Sequence, residues 1–283
     1  MMTLAVSVTP IEDTGRDAVI RFARSAPWHY EHFELTKGEA LAQPGYLARD
    51  AAGKLIGALG CRLDRAPIAS IVYAAIGHVS WPSQVVAALL APNEVALRAA
   101  GAEQLTFIGH APWLARALGQ AGFVTRTSVI SYQRWEYTIP SAGNQDALVR
   151  PAQLADAETI AEIDASAFEP MWRYPAATHR ALIDRLPLVV LAELHGQIVG
   201  YVASDVLYGQ GQIIRLVVHP AWQHHGVGAR LLVETLRYFR SRAVDSAMLN
   251  TQTENAASRR LYERLGFERV GEAVPVLAKD LAP

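Results

Sequence analysis

The sequence of 283 residues contains a single cysteine, Cys61, so no disulfide can form within the chain. It also lacks an excess of charge of either sign, with 26 lysines and arginines against 27 aspartates and glutamates. This balance provides no overall attraction to nucleic acid or to an anionic membrane, and we expect neither as a partner.

Long hydrophobic runs are missing as well. The most apolar stretch, residues 186–206, is interrupted by charged residues and glycines, so its pattern predicts paired strands rather than a membrane span. The first twenty residues lack the basic start and the apolar core of a secretory signal. We therefore expect a cytoplasmic protein, and the chain length corresponds to about two domains of roughly 100–200 residues each.

A sequence pattern recurs at an interval of about 143 residues. Residues 53–57 read Gly-Lys-Leu-Ile-Gly and residues 196–200 read Gly-Gln-Ile-Val-Gly, and each follows a strand-like run as a hairpin signal. Gly122-Phe123 and Gly266-Phe267 each follow a helical segment. Recurrence in the same order at a nearly constant interval indicates a duplicated domain.

Turn-forming residues at positions 140–145 separate the two copies. We predict one domain over residues 1–140, a linker over 141–147 and a second domain over 148–283. Hydrophobic periodicity in the second domain predicts the order β-α-α-β-β-β-α-β-α-β. Strand–helix–strand order implies local parallel pairing, and the hairpins imply antiparallel pairing. The predicted fold class is α/β (α+β), with a mixed, mostly antiparallel sheet flanked by helices in each domain.

A glycine-containing segment opens a predicted helix after a buried strand. Residues 217–230 read Val-Val-His-Pro-Ala-Trp-Gln-His-His-Gly-Val-Gly-Ala-Arg, and Pro220 ends the strand. Unpaired N–H groups at a helix start attract anions, and glycines allow the backbone to approach them closely. A pyrophosphate fits this chemistry, although a tight turn alone also explains Gly-X-Gly. The Walker A lysine and the third glycine of the dinucleotide fingerprint are both absent.

Residues 223–228 resemble the acetyl-coenzyme A signature of the GNAT family, Arg/Gln-X-X-Gly-X-Gly/Ala. Residues 255–267 resemble the family's second motif, a helix that begins with Asn and closes with Tyr before Gly-Phe. The resemblance covers about residues 148–279 and, with the repeat, implies two tandem GNAT-like domains. It also implies an enzyme that transfers an acyl group, in particular acetyl, from coenzyme A to an amine.

The resemblance implies an acetyl-CoA site without a metal. It assigns the following residues to cofactor binding: Val217, Val218, Gln223, His224, His225, Gly226, Val227, Gly228, Ala229 and Asn255. Tyr262 is the implied catalytic residue, because a phenol with a pKa near 10 can protonate the leaving thiolate. Other interpretations stay open: Tyr262 as a packing residue, Asn255 as a helix N-cap only, and both histidines as solvated loop residues.

No general base stands out in the sequence. Arg215 on the central strand stays protonated, so His219, Asp205 and Glu169 are the candidates, beside a water chain or an amine that arrives deprotonated. Residues 168–174 are expected either to shape the acceptor site or to pack between two helices. The expected acceptor is a small-molecule or peptide amine, and homo-oligomerisation and acyl chain length stay open. The alternative function is a coenzyme A-binding sensor without turnover.

The first half keeps the central strand but not the Gly-X-Gly loop. Residues 71–84 read Ile-Val-Tyr-Ala-Ala-Ile-Gly-His-Val-Ser-Trp-Pro-Ser-Gln, and Leu118 stands where the second half has Tyr262. We therefore expect a degenerate GNAT-like domain without cofactor chemistry. Three roles stay open for it: completing the acceptor pocket, docking the second domain, or binding an effector.

Overall fold

The computed structural model describes residues 6–11, 16–31, 43–135 and 138–281. Its strands are β1 Ser7–Pro10, β2 Trp28–Glu31, β3 Gly45–Arg49, β4 Leu55–Arg65, β5 Ile68–Ile76, β6 Gln104–Ile108, β7 Val124–Arg134, β8 Leu148–Pro151, β9 Leu188–Leu194, β10 Gln197–Leu207, β11 Gln210–Val218, β12 Ser246–Gln252 and β13 Glu268–Asp280. Its helices are α1 Arg16–Ser25, α2 Pro82–Ala99, α3 Pro112–Gln120, α4 Ala157–Ala167, α5 Ala176–Arg185, α6 Val227–Ser241 and α7 Ala256–Arg264.

Over these described ranges, no helix is both long enough and apolar enough to cross a membrane. Part of the N-terminal segment that we analysed for a secretory signal, residues 1–5 and 12–15, lies outside the described residues.

The chain forms two compact units. The first unit comprises Met1–Ser128 together with Val274–Pro283, and the second unit comprises Val129–Ala273. This division differs from the predicted domains 1–140 and 148–283 with a linker at 141–147. Residues 129–147 belong to the second unit, and the last ten residues of the chain belong to the first.

The sheet of the second unit has the order β7-β12-β11-β10-β9-β8. Its β11–β12 pair is parallel, and every other neighbouring pair in this order is antiparallel. Parallel pairing is possible there because α6 provides the crossover between the two strands. The predicted mixed, mostly antiparallel sheet is confirmed for this unit.

The first unit repeats the same sequence of pairings in the order β1-β3-β4-β5-β6-β13. Its β5–β6 pair is the parallel one, with α2 as the crossover, and the other neighbours are antiparallel. Strand β2 is an addition to this pattern and pairs with β5. Both units therefore have the expected helix-flanked mixed sheet.

Strands β7 and β13 explain the difference in domain boundaries. In the second unit, residues 129–134 of β7 pair with β12, whereas in the first unit residues 276–280 of β13 pair with β6. Each strand follows a helix and one of the Gly-Phe pairs of the repeat, Gly122-Phe123 before β7 and Gly266-Phe267 before β13. Each unit thus completes its sheet with the strand that follows the other unit's last helix.

Helix α6 illustrates how the sequence forms the second unit. Leu231, Leu232, Leu236 and Phe239 recur at helical spacing and are all buried against the sheet in one apolar core. Burial of such side chains contributes about 1.5–3 kcal/mol each, which outweighs the modest helix propensity of any single residue. This helix begins at Val227, as predicted, and so fixes the position of the Gly-X-Gly loop that precedes it.

Candidate active site

A cleft of about 680 Å³ lies in the second unit, where β11 and β12 separate. The two strands pair from Gln210↔Ser246 to Ile213↔Leu249, and beyond that point residues of both strands line the cleft. Ile214 forms a bulge, because β10 pairs with β11 residues 213 and 215 but not with the residue between them. A bulge bends its strand, so the backbone edge of β11 beyond it faces the cleft instead of β12.

The Gly-X-Gly loop, residues 223–228, forms one end of the cleft. His224 and Gly226 both have positive φ angles, of 64° and 78°, and α6 begins directly after them. Left-handed residues in such a loop turn successive N–H groups to one side and form an anion-binding concavity. Glycine is needed at position 226 because a Cβ atom there would be strained and would lie 3.0 Å from the backbone nitrogen of Asn144.

Side chains within this loop stabilise its shape. The Gln223 amide donates to the carbonyl of Val218 at 3.1 Å, and the ring Nδ1 of His225 lies 2.8 Å from the carbonyl oxygen of Gln223. His225 is therefore engaged within the loop. Of the predicted cofactor residues, the structure brings eight to the cleft: Val217, Val218, Gln223, His224, Gly226, Gly228, Ala229 and Asn255. His225 and Val227 are not among the lining residues.

Helix α7 supplies the other side of the cleft. Asn255 caps the helix, since its side-chain oxygen accepts the N–H of Ser258 at 3.1 Å, and it also lines the cleft. The two interpretations of Asn255, as a cap and as a cleft residue, are therefore compatible.

Tyr262 on α7 lines the same cleft although only 5% of its surface is exposed. Its ring packs beside those of Tyr132 and Phe267 at centroid distances of 5.9 and 6.2 Å. Burial raises the pKa of Tyr262 to about 12, although a hydrogen bond with the Ser258 side chain acts in the opposite direction. The phenol therefore stays protonated at neutral pH, as a proton donor must.

The cleft is cationic. The exposed side chains of Arg260 and Arg264 line it, and among the described lining residues there is no aspartate or glutamate. Arg215 also lines it, but its charge is paired with a buried carboxylate. The candidate bases lie outside this lining: the Asp205 carboxylate accepts the N–H of Val206, and His219 accepts the N–H of Ala221 through Nδ1. Glu169, the third candidate, is also not a lining residue. This charge suits a phosphate-bearing substrate and provides no carboxylate base.

A buried ion pair beneath the cleft was not predicted. Arg215 is 8% exposed and donates to both carboxylate oxygens of Asp164, at 2.8 and 2.7 Å, and Asp164 is fully buried. The Tyr201 hydroxyl and the Tyr174 N–H also donate to Asp164, at 2.6 and 2.9 Å. A sequence signal existed: both charges occupy positions on otherwise apolar faces, Arg215 between the aliphatic residues of β11 and Asp164 beside Ile160 and Ile163.

The same arginine fixes the segment of residues 168–174. Its guanidinium carbon lies 3.7 Å from the ring centre of Phe168 and 4.2 Å from that of Tyr174, and it donates to the carbonyl of Trp172 at 2.6 Å. Phe168 also lines the cleft. The two alternatives for this segment therefore combine, since it is packed by Arg215 and presents an aromatic ring to the cleft.

His179 completes this cluster as a neutral residue. It is buried, and its ring contacts those of Tyr174 and Tyr201. Burial lowers its pKa, with Arg215 acting in the same direction and Asp164 in the opposite one. In the described part of the chain, no group of three or more His, Cys, Asp or Glu side chains is arranged to hold a metal ion.

The corresponding place in the first unit is filled by its own chain. Strands β5 and β6 pair only from Ile68↔Gln104 to Ser70↔Thr106, as β11 and β12 do. Beyond this point β2 pairs with β5 over Tyr73–Ile76, and the Tyr30 hydroxyl donates to the carbonyl of Ile108 at 2.7 Å. Within the described ranges, the strand edge that has no partner strand in the second unit is thus occupied in the first.

Comparison with known proteins agrees with this geometry. Residues 156–267 match the sequence model of the Acetyltransferase (GNAT) family. The N-alpha-acetyltransferase RimI of Mycobacterium tuberculosis is 37% identical over 124 residues, which cover 41% of this chain and 75% of that protein. The chain belongs to the GNAT family of N-acetyltransferases, and the predicted resemblance is confirmed.

Two further similarities extend over both units. A mycothiol acetyltransferase of Stackebrandtia nassauensis is 28% identical over 261 residues, or 83% of each chain. A solved tandem GNAT protein from the clavulanic acid biosynthesis pathway covers 98% of this chain and 99% of its own, with a TM-score of 0.61 at 14% identity. The second similarity concerns the fold and confirms the predicted fold class.

We expect one coenzyme A site per chain, because the open strand edge and the Gly-X-Gly loop occur together in the second unit while β2 covers the edge in the first. Calorimetric titration with coenzyme A should give a stoichiometry of one. Replacing Gly226 and Gly228 together by aspartate should abolish binding, since the carboxylates repel phosphate. Two equivalent sites, or binding that survives the double substitution, would contradict the prediction of a single site at the Gly-X-Gly loop.

We expect Asp164→Asn to destabilise the protein strongly, because it leaves the buried charge of Arg215 without its partner. The loss should be about 3–5 kcal/mol of unfolding free energy, measured by urea unfolding. Asp280→Asn is the matched control, because the Arg126–Asp280 pair is largely exposed and should contribute little. Equal losses of unfolding free energy in the two variants would show that the buried pair contributes no more to stability than the exposed pair.

Proposed function

We propose that the second unit transfers an acetyl group from acetyl-CoA to an amine, by direct attack of the amine on the thioester. The observation that carries the proposal is that three kinds of group line one cleft. The Gly-X-Gly loop offers N–H donors at one end, the free edge of β11 follows, and Tyr262 lies on the facing helix. Acetyl-CoA has a pyrophosphate, an amide-containing arm and a thioester in that order.

The residues of the cleft fit each part of this substrate. N–H groups of the loop and the start of α6 would bind the pyrophosphate, and the exposed side chains of Arg260 and Arg264 would add positive charge for phosphate. The backbone of Val217 and Val218 would pair with the amides of the arm. Held there by these contacts, the thioester is positioned for attack, which accounts for much of the expected rate enhancement.

In the reaction, the amine nitrogen forms a bond to the carbonyl carbon and the carbon–sulfur bond breaks. The sulfur leaves with the electron pair of that bond and takes a proton from the Tyr262 hydroxyl. The amine loses one proton to water, which then restores the phenol. Backbone N–H groups of β11 beside the bulge would stabilise the negative charge on the carbonyl oxygen. No carboxylate base is needed if the amine arrives deprotonated.

We propose a small-molecule amine as the acceptor. The similarity to a mycothiol acetyltransferase supports this choice because it extends over 83% of both chains, whereas the similarity to the N-alpha-acetyltransferase covers 41% of this chain. Phe168, fixed by Arg215 at the cleft, would give the acceptor an aromatic surface to contact.

The proposal is tested by release of free thiol from acetyl-CoA in the presence of amines. We expect release that depends on both the protein and the amine, with small polyfunctional amines turned over faster than peptides. A parallel assay with longer acyl-CoA donors compares chain lengths. Binding of coenzyme A without thiol release from any amine would instead indicate a sensor, and faster turnover of peptides would overturn the acceptor class.

We expect Tyr262→Phe to lower kcat by about 100-fold or more, the usual contribution of a positioned proton donor, while the Kd for coenzyme A changes little. The pKa of Tyr262 is raised to about 12, so the hydroxyl stays protonated well into the alkaline range. Deprotonation of Tyr262 should therefore not lower the wild-type kcat at any pH below about 10. Tyr238→Phe on α6, away from the cleft, is the control. An unchanged kcat, with chemistry rate-limiting, would leave Tyr262 a packing role only.

A further inference from the structure

Asn144, a residue between the two copies of the repeat, makes three hydrogen bonds, and two of them connect it to the Gly-X-Gly loop. Its side-chain nitrogen donates to the carbonyl of His225 at 3.0 Å, and its backbone N–H donates to the carbonyl of Gly226 at 3.1 Å. Its side-chain oxygen accepts the N–H of Asp146 at 2.9 Å. This last bond fixes the orientation of the amide, so that its nitrogen faces the loop.

The close approach of residues 143 and 144 to the loop depends on a glycine. Gly143 has a φ angle of 98°, and a Cβ atom there would lie 2.4 Å from the backbone nitrogen of Arg230 in the first turn of α6. No other residue type fits against the helix at this distance. The segment is therefore shaped to contact the start of α6.

These bonds determine which way the loop N–H groups point. In a trans peptide, the carbonyl and the following N–H lie on opposite sides. The His225 carbonyl is turned to Asn144, and the Gln223 carbonyl is turned to the ring of His225. The N–H groups of Gly226 and His224 therefore point away from these partners, and both residues line the cleft.

We propose that Asn144 is a positioning residue for pyrophosphate binding, which it supports by holding the loop N–H groups toward the cleft before the substrate arrives. The inference rests on the proposed function, because it concerns the loop that would bind acetyl-CoA. A donor set fixed in advance binds more tightly, since less conformational entropy is lost on binding. Without the bond from the Asn144 side chain, the His225 carbonyl loses the partner that holds it, and the N–H of Gly226 is held less firmly toward the cleft.

The test compares two donors in the full-length protein. Acetyl-CoA contains the pyrophosphate, whereas S-acetylpantetheine contains the arm and the thioester without it. Asn144→Ala removes the bond to His225, and Asn144→Asp removes the donor while keeping an oxygen that can accept the Asp146 N–H. Gln145→Ala is the control, because this side chain donates to the carbonyl of Gly143 and not to the loop.

For both Asn144 variants we expect the KM for acetyl-CoA and the Kd for coenzyme A to rise about tenfold. This corresponds to the loss of about one hydrogen bond from a loop N–H to the charged pyrophosphate. The kcat at saturating acetyl-CoA, and kcat/KM for S-acetylpantetheine, should stay within about twofold of wild type. Gln145→Ala should behave as wild type. A general folding defect would lower the activity with both donors and the melting temperature together.

Several outcomes would overturn the proposal. Unchanged KM in Asn144→Ala shows that the bond does not matter, and a rise confined to Asn144→Asp shows only repulsion between the new carboxylate and phosphate. Equal losses with both donors show a structural role without selectivity for the pyrophosphate. If wild-type protein binds no coenzyme A, the proposed function fails and this inference fails with it. If wild type binds and both variants bind equally well, only this inference fails.

Discussion

The second unit depends on the buried ion pair between Arg215 and Asp164. The pair joins the central strand to α4, and Tyr201 adds a bond from the neighbouring strand β10. Removing two charges from water costs several kcal/mol per ion, and the attraction offsets this only when the geometry is good and the remaining polar atoms are bonded. Here both carboxylate oxygens have two donors each, so that condition is met.

This ion pair also links the core to the cleft. Arg215 lies next to the bulge residue Ile214, so the guanidinium that pairs with α4 lies at the point where β11 bends away from β12. The two aromatic rings that contact its guanidinium, those of Phe168 and Tyr174, belong to the segment that borders the cleft. Stability and site geometry therefore depend on the same few atoms. In the first unit, Tyr73 stands at the strand position that corresponds to Arg215, and it packs in an apolar cluster with Ile11, Val19, Leu47 and Ala58 instead of in an ion pair.

Much of the second unit could be predicted from the sequence. Alternation and helical spacing of apolar residues predicted its strands and helices, and Pro220 followed by Gly-X-Gly predicted the loop before α6 correctly. Such signals are local, since each depends on residues within one or two turns. The Arg215–Asp164 pair lies 51 positions apart in sequence, and which distant charge pairs with which is not encoded in local periodicity.

The limits of the domains could not be predicted for a related reason. Both β7 and β13 follow a helix and a Gly-Phe pair, so this local signal is the same for both strands and does not tell which sheet each strand joins. Asn144 was visible only as a turn-forming residue, because its bonds to His225 and Gly226 join segments about 80 residues apart. Contacts of this kind depend on tertiary structure.

The exchange of β7 and β13 has a consequence for synthesis on the ribosome. Chains generally fold in the order in which they emerge, with the N-terminal domain first. In this protein the first unit cannot complete its sheet until residues 276–280 have been translated, because only then can β13 pair with β6. Its β6 edge stays exposed through the synthesis of the entire second unit, and unpaired edges favour aggregation. Residues 276–280, remote in sequence from the N-terminal half, thus decide when the sheet of that half is complete.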